Sequence, residues 1–461
     1  MDRKMKNVLL LCDSFPPAFN PRMGYLCKYL PEHGWKPIIL TEYSPQNIYA
    51  NLHENQDVTR INYYWNTSKN SFPQQERHCG FNPQSPTYNE IAGQARNDER
   101  FFRSIHWSKN KIWQHLKYVF VFLADYFFNY KDMIISRKAE KIIKTRKIDV
   151  ILVSSFRLFP ALAAKRLSQK FNIPLVVDLR DIFEQSSNNE LISKRLSNSV
   201  FINNLIANCI RKKLLRQRNK ILKKAHAVTT ISEWHVKTLS KYNSNVKLIY
   251  NGFDSDLFFS QTIENDVFTI TFTGRLHSAE LRNPSLLFEA MSHLSEEKKI
   301  DAQKIRLQFY LMDKKSKEII HSLAQKYAIA NFVDVFDTVP STEIPKILNN
   351  SSILLLLANK STGENAPKGI MGTKIFEYLA VEKPILCVRN DEDCLEKTIK
   401  SANAGLSASN EEEVKVFILE KFAQWQKNGH THQSVNQAFV QQFSRKQQAE
   451  EFAVLLNQNF F

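Results

Sequence analysis

The chain of 461 residues lacks the compact signatures of several common chemistries. It has no paired-cysteine zinc spacing, no H-E-x-x-H, no G-x-S-x-G and no P-loop, which removes support for zinc, hydrolase and NTPase chemistry. Its six cysteines, Cys12, Cys27, Cys79, Cys209, Cys387 and Cys394, are scattered without a C-x-x-C, so free thiols in a reducing compartment are expected. Glycine is scarce, at 11 residues, and a dinucleotide G-x-G-x-x-G is missing because the loop after the first apolar run holds Gly24 alone. That argues against a nicotinamide or flavin enzyme. No apolar run reaches the roughly 20 residues that span a bilayer. The most apolar late stretch, residues 118–130 (YVFVFLADYFFNY), is too short and carries Asp125. At the N-terminus basic residues precede VLLLC as in a secretory leader, but the run is short and Asp13 ends it, so a buried first strand is expected.

Acidic residues are also in short supply. Against 63 Lys and Arg stand 46 Asp and Glu, a net charge of +17, which implies a polyanionic neighbour: nucleic acid, an anionic membrane surface or a phosphorylated substrate. The densest patch runs from Arg211 to Lys224 (RKKLLRQRNKILKK), without an acid and with Leu214, Leu215, Ile221 and Leu222 as one helical stripe. A basic amphipathic helix of this kind suits an anionic membrane surface. Nucleic acid is not expected, because the aromatic stretch near Tyr118 is continuous and no recognition motif is present.

Length alone implies two or three domains. Short apolar runs at 8–12, 38–41, 150–154, 175–177, 227–231 and 246–250 alternate with helical patterns, and the alternation resumes at 268–273, 305–312, 332–336, 353–357 and 384–388. The expected fold is α/β, with two Rossmann-like doubly wound parallel-sheet domains facing a cleft. Their boundaries are 1–259, with an insertion over about 43–135 on the acceptor side, and 267–435. A helix over 436–461 is expected to pack back on the first domain. Ligands then bind at the carboxyl ends of both sheets.

The most informative stretch is 372–386, GTKIFEYLAVEKPIL. Gly372 and Thr373 open a helix whose bare N–H groups suit a diphosphate, and Ile375, Phe376 and Leu379 form its docking stripe. Glu377 lies one turn beyond Lys374, placed to accept hydrogen bonds from both ribose hydroxyls. In FTGR, Gly274 lets a ligand approach backbone, while Arg275 and Arg282 are candidate diphosphate clamps. Gly24 stands where the first helix is expected to begin, near Tyr25, as a cleft candidate that lets a phosphate or sugar come close. In VVDLRD, Asp178, Arg180 and Asp181 follow a buried strand, either as cleft residues or as a structural ion-pair cluster. Asn251 and Gly252 read as a turn with glycine at positive φ. The pairs Asp254/Asp256 and Asp391/Asp393 sit in polar turns without a nearby histidine, and no metal is expected at either. His226 reads as a helix-end packing residue.

These segments together resemble family four of the retaining, sugar-nucleotide-dependent glycosyltransferases, built on the two-domain GT-B fold. FPP with Gly24, KYLPEHGWKPIILT, DVILVSS, VVDLRD, AVTTISEW, IYNGFD, FTGR and GTKIFEYLAVEKPIL carry the likeness over nearly the whole chain. The resemblance implies that Glu377 binds donor ribose and that Arg275, Arg282 and Lys374 surround the diphosphate. It also implies a second glutamate one loop earlier, where this chain reads KGIM. Backbone from Gly369 through Met371 to Gly372 is the expected replacement, with Glu364 a distant one. A family histidine after the third strand is absent too, and Arg157 stands nearby as an acceptor or phosphate candidate.

The resemblance further implies a metal-independent, cofactor-free retaining transferase. Such an enzyme moves sugar from a nucleotide diphosphate sugar to a glycan or lipid-linked acceptor, in synthesis of capsule, lipopolysaccharide or another surface polysaccharide. The expected location is cytoplasmic, on the inner membrane face. Two alternatives stay open: a sugar-nucleotide 2-epimerase of the same architecture, and a catalytically degenerate protein that binds polyanion or membrane.

Overall fold

A computed structural model describes residues 5–44, 49, 52, 56–61, 129–155, 158–185, 200–276, 282–358, 369–458 and 460. The first seven strands are β1 (Lys6–Cys12), β2 (Trp35–Glu42), β3 (Asp57–Ile61), β4 (Val150–Ser155), β5 (Leu175–Leu179), β6 (Ala227–Thr230) and β7 (Val246–Leu248). They form one parallel sheet in the order β3-β2-β1-β4-β5-β6-β7, with Leu9 paired to both Ile38 and Ile151. The pleat sends alternate residues to opposite faces. Leu9 and Leu11 accordingly enter one buried cluster, while Val8, Leu10 and Cys12 enter another. Helices cover both faces: α1 (Pro21–Tyr29), α2 (Tyr130–Thr145), α3 (Ala161–Phe171), α4 (Val200–Leu222) and α5 (Glu233–Leu239).

The second sheet has β8 (Phe268–Gly274), β9 (Ile305–Leu311), β10 (Val333–Phe336), β11 (Ile353–Leu357), β12 (Ile385–Val388) and β13 (Gly405–Ala408), ordered β10-β9-β8-β11-β12-β13. Around it lie α6 (Ser285–Glu296), α7 (Lys314–Lys326), α8 (Ile344–Asn349), α9 (Lys374–Val381), α10 (Cys394–Ala402) and α11 (Glu411–Asn428). α7 starts at an Asp313 side-chain cap and α11 at an Asn410 cap. α11 also places Glu411, Glu412 and Glu413 in its first turn, where the helix dipole favours anions. Two parallel sheets of this order make the GT-B fold.

Two short helices end the chain, α12 (Gln437–Gln441) and α13 (Arg445–Leu456). Ala449, Phe452, Ala453, Leu455 and Leu456 of α13 share the buried cluster of Val8, Leu10, Met23 and Leu26, so the tail closes over the first sheet. At the crossing, Phe253 N donates to Phe443 O at 3.0 Å and Arg445 N donates to Phe253 O at 2.8 Å.

Gly252 is needed there for closeness, not for a positive φ as expected. A Cβ on it would lie 1.8 Å from Phe443 O. The segment read as an insertion over 43–135 is interrupted as well. Asp57–Ile61 pairs with β2 as an edge strand, and α2 already begins at Tyr130.

Candidate functional site

The second sheet presents its charged groups at the carboxyl end of β8. Gly274 ends that strand at φ +119°, and a Cβ on it would stand 2.2 Å from Lys374 Nζ and 2.7 Å from its Cε. No other residue type fits without moving the lysine. The Lys374 stem crosses the Phe272 ring, with Nζ 4.4 Å from the centroid. Lys374 is also the first residue of α9, whose Thr373 cap makes no side-chain hydrogen bond. The space beside Gly372 is open. Helix N–H groups therefore remain available next to the ammonium, an arrangement suited to an anion.

Two cations converge, Lys374 and Arg282, with Arg275 alongside. Arg282 Nη1 donates to the Arg275 carbonyl at 2.8 Å, and the Arg275 side chain lies 3.8 Å from Asp313. Burial, then the positive charge of Arg282, brings the Lys374 ammonium down to about 7, against the pull of Glu377. Glu377, partly buried one helical turn on, is pushed up to about 7 by burial, with Lys374 and Arg445 opposing. This lysine and carboxylate titrate as a pair in a poorly solvated pocket.

Gly274, Arg275, Arg282, Thr373, Lys374 and Glu377 thus belong to one place. Other expected residues do not face it as anticipated. The Gly369 N–H donates to Asp393 Oδ2 at 2.7 Å and is committed within the protein. Gly369 instead brings its loop against Ser232 and Trp234 of the first domain, where a Cβ would lie 2.6 Å from Ser232 Oγ. The Met371 side chain is 6% exposed and packs in the cluster of Phe253, Ile375 and Phe376.

On the first sheet, Gly24 lies inside α1 rather than at its start, because Pro21 and the Asn20 cap begin the helix earlier. Its amide donates to Asn20 O and its missing side chain leaves room for Pro16, so it serves packing. Asp178 is fully buried and is not a cleft residue. It accepts from Arg22 at 3.0 Å, Ser154 at 3.0 Å and Thr229 at 2.7 Å, while Arg22 also donates to the Ile249 and Tyr250 carbonyls. Arg180 stays at the sheet's carboxyl edge, with Nη1 on Asn20 Oδ1 at 3.1 Å and Nη2 3.7 Å from Asp13. Asn251 is partly exposed beside the domain crossing. Arg157, Glu364 and Lys368 lie outside the described residues.

The acidic pairs have local partners. Asp256 accepts from Lys28, Tyr29 and Lys446, and Asp254 from Lys28 and Tyr29. Asp391 caps α10 through the Leu395 and Glu396 amides. Asp391, Asp393 and Cys394 bring their ligand atoms within 4.8 Å of one another, in polar surroundings already used by backbone. His226 Nδ1 accepts from Leu175 N at 3.1 Å and its ring meets Phe460, a packing role.

Sequence reasoning missed Arg22 and Arg445, both 3% exposed. Arg445 reaches the site through its charge on Glu377 and stacks over Tyr25 at 5.5 Å. Neither stands beside a glycine or a strand end. Only the packing of α13 onto α1 brings Arg445 to this place.

The two facing parallel sheets are those of the GT-B glycosyltransferases. Two family models match successive parts of the chain, Glycosyltransferase Family 4 over residues 96–257 and Glycosyl transferases group 1 over 254–438. The chain belongs to the group 1 glycosyltransferases with a family-4 N-terminal domain. No curated protein matches it in sequence. Among solved structures, Anabaena Alr3699/HepE in complex with UDP and glucose is 15% identical, with a TM-score of 0.57 over 98% of this chain and 99% of that one. Sucrose-phosphate synthase from Thermosynechococcus elongatus is 12% identical, with a TM-score of 0.55 over 98% of each chain. The lipopolysaccharide outer core galactosyltransferase WaaB is 10% identical, with a TM-score of 0.53 over 98% of this chain and 100% of that one. At these identities the likeness is one of fold.

Proposed function

We propose that the chain transfers a sugar, with retention and without a metal ion, from a nucleoside diphosphate sugar to a glycan or lipid-linked hydroxyl acceptor. The observation that carries this reading is Lys374 Nζ held over the end of β8, where only glycine at 274 leaves it room. Lys374, Arg275, Arg282 and the α9 amides offset the charge growing on the departing diphosphate, the task a divalent ion performs elsewhere. Glu377 fixes the ribose. Retention then follows from same-face attack, with the acceptor proton passing to a phosphate oxygen. Alr3699/HepE is described in complex with UDP-glucose, which makes a uridine donor the first to try.

Membrane contact at the inner face, in surface polysaccharide synthesis, is part of the same reading. No described helix is long and apolar enough to cross a bilayer. On α4, Ile221 and Leu222 are buried and Arg218 pairs with Glu184 at 2.7 Å, which turns the opposite face outward. That face carries Phe201 (76% exposed) and Leu205 (55%), then exposed Lys212, Arg216 and Lys220 at helical spacing. Apolar anchors followed by cations suit an anionic interface.

The test offers UDP-, GDP-, ADP- and dTDP-sugars with a glycoside or lipid-linked acceptor and reads the product by NMR. A product with the donor's anomeric configuration, formed in chelator, is expected. An inverted linkage, a strict metal requirement, or a 2-epimer formed without acceptor contradicts the proposal.

A further inference from the structure

We infer that Arg445 is a positioning residue for the donor: from the start of α13 it supplies the fixed positive charge against which Glu377 accepts the hydrogen bonds of a ribose diol. The inference rests on the proposed transferase reading, in which Glu377 meets the ribose. It starts from how the tail is seated. Arg445 opens α13, and its N–H donates to Phe253 O at 2.8 Å in the crossing. Two residues earlier, the Phe443 ring lies 5.0 Å from that of Phe376, the residue before Glu377 on α9. Phe253, Phe376 and Phe443 share one buried cluster, so the crossing brings the start of α13 against the donor helix. The Arg445 side chain is 3% exposed and makes no ion pair among the described residues. Its Nη1 donates to Gln448 Oε1 at 2.9 Å, its guanidinium lies 5.5 Å from the Tyr25 ring centre, and its Nε is buried without a partner. A buried cation held in this way is costly unless an anion lies near it.

That anion is Glu377. Burial raises its carboxyl while Lys374 and then Arg445 oppose the rise, and Glu377 in turn opposes the fall that burial and Arg22 give the guanidinium. Arg445 comes down only to about 10, so it stays cationic through the neutral range. Lys374 comes down to about 7 and sheds its proton over the same range in which the Glu377 carboxylate forms, while Arg282 acts on Lys374. Tyr25 on α1 and Tyr49 face Arg445 as well, and burial pushes the Tyr25 phenol up, so that it carries no charge there. Arg445 is thus the cation that remains once Glu377 is ionised. Ionisation matters because a carboxylate accepts on both oxygens, whereas a neutral carboxyl spends one of them as a donor. The Glu377 oxygens accept no hydrogen bond from a described residue, so both are left for the two ribose hydroxyls. Arg445 supplies charge without occupying them.

The experiment measures, by titration calorimetry across the neutral range of pH, the affinity of wild type, Arg445→Met, Arg445→Lys and Glu377→Ala for UDP, GDP and ADP and for the 2′-deoxy counterpart of each. Arg445→Gln replaces the methionine variant if that one is unstable. Wild type is expected to prefer its ribonucleotide on the order of tenfold, the strength of a hydrogen bond to a charged group. Arg445→Met reduces that preference to about twofold or less, and Arg445→Lys recovers part of it. In Arg445→Met the acid limb of affinity also moves to higher pH, because the carboxyl rises further without the guanidinium. An equal loss of ribo- and deoxyribonucleotide affinity, as a purely structural role would give, overturns the inference. So does an unchanged preference in Arg445→Met, an acid limb that stays in place, or no recovery in Arg445→Lys. Failure of the donor reading shows separately, as an undiminished ribose preference in Glu377→Ala, and a wild type indifferent to the 2′-hydroxyl overturns both.

Discussion

Lys374→Met is expected to make the protein more stable and less able to bind its donor. The lysine stem packs on Phe272 and its head lies against Gly274, with Arg282 as a nearby like charge. Burial and the Arg282 charge bring its ammonium from 10.5 to about 7, and in this partly exposed, screened place the charge costs about 1–3 kcal/mol. Methionine keeps most of the stem and removes the charge. At about 2–4 °C per kcal/mol for a domain of this size, the apo melting temperature rises by several degrees. The same variant loses the cation that meets the diphosphate, so its shift with UDP falls to near zero. Differential scanning fluorimetry with and without UDP measures both. An apo melting temperature at or below that of wild type, or an undiminished UDP shift, refutes the reasoning.

Nucleotide affinity is expected to be bell-shaped around pH 7, because Lys374 gains its proton below about 7 and Glu377 loses its own above about 7. Titration calorimetry against pH checks this, and Glu377→Gln removes the acid limb. For the apo protein the linkage runs oppositely: the raised carboxyl lowers stability as pH climbs from 4.5 to about 7, and the lowered ammonium restores it above. A stability maximum at pH 7 in Tm measurements, with no contribution from these two groups, contradicts that. Gly274→Ala loses about 1–3 kcal/mol and the nucleotide shift together, since φ +119° and a 2.2 Å approach both oppose a methyl group. Asp178→Asn leaves Arg22 buried without its counter-ion and costs about 3–5 kcal/mol in urea unfolding, with the UDP affinity of the folded fraction retained. Charge reversal at Lys212, Arg216 and Lys220 abolishes sedimentation with phosphatidylglycerol vesicles, and equal binding to neutral vesicles counts against the membrane reading.

The parallel sheets were legible because strands buried on both faces read as uninterrupted apolar runs, as VILVSS and ILLLL do. β3 (DVTRI) and β13 (GLSA) escaped notice because each lies at a sheet edge, where one side needs little apolar cover. Where β8 ends beside α9, Gly274, Lys374 and Glu377 each owe their place to a strand end or one helical turn. The first-domain residues were harder. VVDLRD shows three charges at a strand end, but Asp178 lies inside β5, buried throughout, while Arg180 and Asp181 lie beyond it, and Arg22, from a distant helix, claims Asp178. A glycine likewise does not disclose why it is needed. Gly24 and Gly252 make room for protein, whereas Gly274 makes room for a lysine.

The central claim is that α9 and the end of β8 bind a nucleoside diphosphate sugar through Glu377 and the cations beside it. Thermal-shift measurements with UDP, GDP, ADP and dTDP sugars on wild type and Glu377→Ala test it most directly. Stabilisation of wild type by one of these nucleotides and its loss in Glu377→Ala is the expected result. Stabilisation by none of them, or an equal shift in the variant, contradicts the claim.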